Sequence, residues 1–460
     1  MLWAPIVDAI YSPRIGRRKT WVVPLQLAIG FMLICFSGTI ERTLYSESPN
    51  VLFLTVCFLV FYFLAATQDI AVDAWALTLL SDKNKNWQGT ANVIGQTLGI
   101  HLANSIFLML NDPTWTLPWS GKQGPLLTLR QFSLIWGVIF LLFTIYIAVC
   151  VKEDGTTQCK KKEAQLKEEK EEEPLLRHRM HKRQEEKEKR SEEEELETKK
   201  NEDLNLYQTY LLYFDILKSP YFLRLALILL TNRIGVFPAE GASSLQLIDK
   251  GMKRVSLTSL NMVLFPIEMT TTFLLSRLLT RIHPLKVMYF CYLLRISMSL
   301  LLSLFIHSLP PAELEMMPSR FYPLAYTLVI LSSLAGRSMN VAGMAYYAQI
   351  SDPRFGGTYM SLFNTVSNLG HQMYMSPILK VIDVASVKQC YKEGEVVMNN
   401  CAGHNLYSQC ASMGGKCITE QDGYYLLTWP CFIYGVVWAI VMKNQFRFLM
   451  MTDREKWKVI

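Results

Sequence analysis

The sequence predicts an all-α polytopic membrane protein, and three observations carry that prediction. Hydrophobic residues make up 51% of the 460 and charged residues only 18%, whereas a soluble protein carries about a quarter charged residues. The apolar residues gather in runs long enough to cross a bilayer. The basic residues, which leave a net charge of +7, sit in short turns between those runs and form no continuous patch. They read as topology signals. The lipid bilayer is therefore an expected partner, and neither nucleic acid nor a cofactor is.

The chain opens MLWAPIVDAIYSPRIGRRKTW, apolar from Trp3 to Tyr11 except for Asp8, and then basic at Arg14, Arg17, Arg18 and Lys19. Eleven residues of helix rise only about 16 Å, roughly half the hydrocarbon core. This stretch is expected to be the end of a helix whose beginning is missing. Full spans are expected near Trp21–Ser37, Val51–Leu80, Gln88–Leu110, Phe132–Val151, Tyr221–Pro238, Leu257–Leu279, Val287–His307, Tyr322–Ile350, Thr358–Ile382 and Tyr425–Met442, ten beside the opening fragment. From Lys152 to Asp203 the composition changes to 15 basic and 18 acidic residues without an aromatic, which reads as a solvated tether.

Loop charge sets the expected orientation. The GRRK turn, the SDKNKN turn, the tether, the RIHPLK turn and the basic tail fall on one side when spans alternate, and that side is expected to be cytosolic. Lys250, Lys253 and Arg254 are exceptions on the other side. The opposite side carries a long loop with Cys390, Cys401, Cys410 and Cys417. Four cysteines in one extramembrane loop point to two disulfides in an oxidising compartment, with three pairings open. Zinc is the rival, but no CxxC pair is present.

A weak internal repeat lays LLSDKNKNWQGTANVIGQTLG against QISDPRFGGTYMSLFNTVSNLG. Parallel repeats joined by a long cytosolic tether are the plan of the major facilitator transporters, with six helices per half. The expected organisation is then an N-terminal half-bundle over 1–151 (helices two to six of that plan), a linker over 152–206, a six-helix half over 207–445 that includes the 383–423 loop, and a tail over 446–460. On this plan the opening stretch resembles the superfamily's cytosolic turn between helices two and three, with Asp8, Gly16, Arg17 and Arg18 in the gating positions.

Polar residues inside spans locate the chemistry, because an ionisable group in hydrocarbon is costly unless it meets a cavity or a partner. QDIAVDAWAL sets Asp69 and Asp73 on one helix face, beside Gln68 and Trp75. The next span carries Asn92, Gln96, His101 and Asn104 along much of one face. In the second half, Arg233, Arg295 and Arg337 are cations within apolar runs, and Asn364, Asn368, His371 and Gln372 share a later helix. Buried arginine suits a phosphate because its planar fork donates in pairs. The competing reading is that these arginines pair with Glu240 or Glu268 and serve packing.

QDIAVDAWALTLLS, NVIGQTLG, SDPRFGGTYMSLFNTVSNLG and GGKCITEQDGYY together resemble the acetyl-coenzyme A transporters of the endoplasmic reticulum membrane, solute carrier family 33. QDIAVDAW also resembles bacterial muropeptide permeases. The first resemblance implies a multi-pass protein of that membrane with a lumenal cysteine loop and a cytosolic linker and C-terminus. It implies import of acetyl-CoA in exchange for CoA by alternating access, supplying lumenal acetylation. The implied pathway comprises Gln68, Asp69, Asp73, Trp75, Asn92, Gln96, Arg233, Arg295, Asn364 and Asn368, and an adenine or pantetheine arm would rest on aromatics such as Trp75 or Tyr346. Catalysis is not expected: His101 and His371 are available, but no accompanying motif supports an acetyltransferase. A carrier of another organic anion or muropeptide-like solute, a transport-inactive truncated scaffold, and a homodimer remain open.

Overall fold

The computed structural model of the chain describes residues 2–80, 84, 86–121, 123–151, 153, 205–252, 254–309, 319–392, 395–401 and 404–457. Apart from Glu153, the expected tether at 152–203 lies outside the described residues, as do most of the SDKNKN turn and Lys253.

The opening stretch forms a single short helix, α1 (Ala4–Ala9), started by Pro5 in its first turn. Long helices follow at α2 (Lys19–Leu44) and α3 (Val51–Leu79), the latter capped by the Asn50 side chain on the Phe53 N–H. Next comes α4 (Asn86–His101), which continues through a π-helical segment, Leu102–Phe107, into a last α turn at Leu108–Asn111. After α5 (Pro113–Ser120), the span α6 (Leu129–Cys150) opens on a reciprocal capping box between Thr128 and Gln131.

Beyond the tether, α7 (Leu206–Lys218) leads into α8 (Pro220–Thr231) and α9 (Phe237–Asp249). The single span expected at Tyr221–Pro238 is thus two helices with a break between Asn232 and Val236. The physical reason is a close crossing. A Cβ on Gly235 would lie 2.7 Å from the Cα of Gly435, so two backbones meet where the helix interrupts. The remaining helices are α10 (Arg254–Leu279), α11 (Pro284–Ser308), α12 (Tyr322–Ile350), α13 (Gly356–Ala385), α14 (His404–Ser412) and α15 (Gly423–Met451). The final helix extends past the expected end at 445, and Trp457 beyond it is buried, with its carbonyl accepting from the Tyr359 hydroxyl at 2.9 Å.

Among the described residues, eight helices are long and apolar enough to cross a membrane. The two other expected spans miss that mark for visible reasons: α8 is only 12 residues long, and α13, at 30 residues, carries Asn364, Asn368, His371 and Gln372. The first turns of α13, Gly356 to Phe363, are buried, whereas Asn368 and Gln372 further along are exposed. The molecule is an all-α polytopic membrane protein. Its largest apolar core joins α8, α11, α12, α13 and α15, while a smaller cluster of Ala4, Val7, Val22, Ile70, Ala71 and Trp75 ties α1 to α2 and α3.

The cysteine loop is folded in its own right. Strands β1 (Val387–Lys392), β2 (Glu395–Met398) and β3 (Lys416–Gln421) form an antiparallel sheet in the order β2-β1-β3. Cys390 pairs with Cys410, and Cys401 with Cys417, at Cα separations of 6.0 and 6.1 Å, within the ordinary disulfide range. The first bond ties α14 to β1. All four thiols are engaged in these bonds, and no group of residues that could hold a metal ion occurs among the described residues.

Candidate functional site

Helices α2, α6, α8 and α13 each have one terminus at the end of the bundle where the tether attaches, here the linker end. The other end carries the cysteine sheet. At the linker end, Asp8 of α1 is fully buried against the first turn of α13. Its carboxylate accepts from the Thr358 N–H at 2.6 Å, the Thr358 hydroxyl at 2.7 Å and the Gly357 N–H at 3.3 Å, and it pairs with the Arg18 guanidinium. A carboxylate at a helix N-terminus satisfies the exposed amides and meets the positive end of the helix dipole. A Cβ at Gly357 would lie 2.8 Å from that carboxylate, so only glycine permits the approach. Arg17 donates from Nε and Nη2 to the Asp8 carbonyl at 3.0 and 2.7 Å, and Gly16 turns the chain with φ +112°. Glu153 accepts from the Arg18 and Lys19 amides at 2.9 and 3.1 Å. The four residues of the opening turn are thus gathered into one joint between the helices before the tether and α13.

One layer deeper lies Asp73 on α3. Its Oδ1 accepts from the Asn92 amide of α4 at 2.9 Å and its Oδ2 from the Asn364 amide of α13 at 3.1 Å. Gln88 donates to the Asp73 backbone carbonyl at 3.0 Å, and Gln96 to Asn92 at 2.7 Å. Asp73, Asn92, Gln96 and Asn364 therefore form a continuous polar network that crosses from the helices before the tether to those after it. Asp69 lies one turn away on α3, with no hydrogen bond to this network. Trp75 is elsewhere: it packs into the cluster with Ala4 and Val22 and does not line the cavity described next.

Towards the cysteine-sheet end the helices part around a cavity of about 430 Å³, the size of an ordinary small-molecule site. Its walls come from α4, the α8–α9 break, α9, α10, α11 and α12, and its charged lining is His101, Arg233, Glu240, Glu268, Arg295 and Arg337. Three guanidinium groups face two carboxylates, so with His101 neutral the lining carries one excess positive charge. Glu240 sits between Arg295, which holds it with a short hydrogen bond from Nε, and Arg233, whose Nη1 is 3.9 Å from Oε2. Glu268 sits between Arg337 (Nε at 3.4 Å) and His101 (Nε2 at 3.6 Å).

The three arginines are not equivalent. Arg295 is 3% exposed and saturated by Glu240 and the Met339 sulfur, so it anchors Glu240. Arg233 keeps a contact with Asn340 at 3.1 Å but is only loosely held by Glu240. Arg337 is the most open, 28% exposed, lines the cavity, and has as its nearest contact with Glu268 a long one from Nε at 3.4 Å.

Sequence reasoning noted Arg233, Arg295 and Arg337 alike as cations in apolar runs but carried only the first two into the pathway. The missed signal is the polar run of LSSLAGRSMN, where Ser332, Ser333, Gly336, Arg337 and Asn340 all line the cavity. Asn368 stands between Asn364 and His371 on α13 and reaches neither the network nor the cavity lining. The pairing of His101 with Glu268 joins α4 to α10, a contact between distant segments that no local pattern announces.

Comparison with known proteins agrees with this architecture. An uncharacterized membrane protein of Saccharomyces cerevisiae is 26% identical over 488 residues, covering 95% of this chain and 83% of the relative. An uncharacterized protein of Schizosaccharomyces pombe is 25% identical, over 96% of this chain and 75% of its own length. The anhydromuropeptide permease of Escherichia coli K12 is 26% identical over 155 residues, 34% of this chain and 28% of the permease. These likenesses and the buried polar cavity point to carriage of a solute across a membrane and away from catalysis. The profile of the acetyl-coenzyme A transporter 1 family matches residues 1–290 and 278–459, and the chain belongs to that family.

Proposed function

We propose that the protein carries acetyl-CoA from the cytosol into the lumen of the endoplasmic reticulum in exchange for CoA. The observation that carries this reading is the cavity, where Arg233 and Arg337 present guanidinium donors from two different walls. A substrate with several phosphate charges needs cations in its path, and paired N–H donors recognise phosphate oxygens more strongly than a neutral lining could. The family match names the same substrate class.

Alternating access supplies the mechanism: two half-bundles, 1–151 and 207–445, rock about the cavity. The Asp8 joint and the Asp73 network hold the linker end closed, leaving the cavity on the cysteine-sheet side of the closure. Opening the linker end requires Asp8 to leave α13 and Asn364 to leave Asp73. In this reading the linker end faces the cytosol, and the disulfide-bonded sheet faces an oxidising lumen.

The test is uptake of labelled acetyl-CoA into proteoliposomes preloaded with CoA. Uptake that depends on internal CoA is expected. A second reading, carriage of another organic anion, is favoured by the likeness to the anhydromuropeptide permease; uptake of a muropeptide with none of acetyl-CoA would select it.

A further inference from the structure

We propose that His101 and Glu268 form a proton-binding site, so that the cavity takes up one proton with each anion it binds. The proposal rests on the reading above that the cavity binds a phosphate-bearing anion, and it adds an ion to that cargo.

Glu268 is buried at 5% exposure, and its Oε2 has no hydrogen bond among the described residues. It is held by two long ionic contacts, Arg337 at 3.4 Å and His101 at 3.6 Å. With the cavity empty, the Arg337 charge answers the Glu268 charge. A phosphate engaging the outer nitrogens of Arg337 must share that single positive charge with Glu268. A buried carboxylate deprived of its cation costs several kcal/mol, and the group placed to answer it is the neighbouring imidazole. Imidazole is the side chain whose chemistry suits it to gain or lose a proton under physiological conditions. The proton comes from water and resides on the imidazole that faces Glu268.

The other charges around this pair do not substitute for it. Glu240 lies between Arg233 and Arg295, so that trio carries the cavity's one excess positive charge, which meets the anion, and neither of its arginines pairs with Glu268 among the described residues. From α3, the Asp73 carboxylate is engaged by Asn92 and Asn364 in the layer below. The imidazole also meets an apolar neighbour, the Phe265 ring, tilted against it with centroids 5.0 Å apart.

Two further features favour the site. His101 is the last residue before the π-helical segment Leu102–Phe107, which turns Asn104 and Ser105 into the cavity beside it; such local departures from α geometry recur at functional sites. The pair also bridges α4 to α10, so protonation strengthens a contact between the helices before and after the tether at the moment an anion enters.

The experiment is calorimetric titration of the full chain in nanodiscs with CoA and, separately, with inorganic pyrophosphate, in buffers of differing ionisation enthalpy. Wild type should take up about one proton more per anion than Glu268→Gln or His101→Gln, the difference removing the probe's own titration. Because the bound state holds the extra proton, wild-type affinity should weaken as pH rises, by up to about tenfold per unit above the imidazole range. That excess slope should vanish in both variants. Should the variants not fold, buffer dependence of wild type titrated with sulfate, which exchanges no proton near neutral pH, decides between one proton and none. Binding without proton uptake overturns the proposal, as does the absence of binding by both anions. Pyrophosphate binding with proton uptake, but no CoA binding, would retain the proton site and remove the CoA reading.

Discussion

Asp73 on α3 accepts a hydrogen bond from the side-chain amide of Asn364 on α13 at 3.1 Å, across 291 residues of chain. The same carboxylate accepts from Asn92 on its other oxygen, so one side chain joins three helices. Hydrogen bonds to a charged group contribute about 1.5–3 kcal/mol each, enough for one contact to bias which end of the bundle is open.

Replacing that carboxylate by an amide tests the bias. Asp73→Asn sets an amide donor against two amide donors, and at least one of the bonds is lost. The expected result is exchange slowed roughly tenfold or more, since about 1.4 kcal/mol is a factor of ten, with insertion and size-exclusion behaviour unchanged. Initial rates in proteoliposomes check it, and wild-type rates would reduce Asp73 to a packing role.

The arginines should separate into two classes. Arg337→Ala and Arg233→Ala are expected to weaken anion binding by roughly ten- to a hundredfold, the worth of one charged hydrogen bond. Arg295→Ala should instead destabilise the fold, because it strips the closest cation from Glu240, itself 23% exposed, a loss of up to about 3 kcal/mol, the low end for buried pairs. Binding isotherms beside thermal melts distinguish the two; equal melting temperatures for all three variants would contradict the assignment.

At the linker end, Gly357→Ala should push α13 off Asp8. The added Cβ would lie 2.8 Å from the carboxylate oxygen and 3.0 Å from Ile70, too close without a shift. In a Ser361→Cys background, where the reporter is buried, labelling by a water-soluble thiol reagent is expected to quicken. Unchanged labelling would mean that the joint yields without opening.

Cys390 with Cys410 and Cys401 with Cys417 should resist alkylation until a reductant is added. They close segments of 20 and 16 residues, each worth about 3 kcal/mol in a chain-entropy view. Mass mapping of the alkylated peptides reads the pairing directly. Full labelling without reductant would count against both bonds.

Much of this was legible beforehand for local reasons. Asp73, Asn92 and Gln96 stand out because a polar side chain in an apolar run must have a partner. Trp75 shows the limit of that reasoning: an aromatic beside Asp73 looks like a substrate contact, while the turn of α3 that carries it packs with Ala4 and Val22. Helical periodicity gives the relative faces along one helix and does not say which neighbour each face meets.

Composition and spacing by themselves determined that the chain is helical and membrane-embedded, where its charged tether lies, and that four cysteines share one loop. Those properties follow from transfer energetics and chain-local patterns. Only the tertiary structure decided that Cys390 joins Cys410, that the span near Tyr221 breaks where Gly235 crosses Gly435, and that Arg337 rather than Arg295 offers its donors to the cavity. Each of these depends on which distant segments come within a few ångströms, and the energy of such a contact resides in neither segment alone.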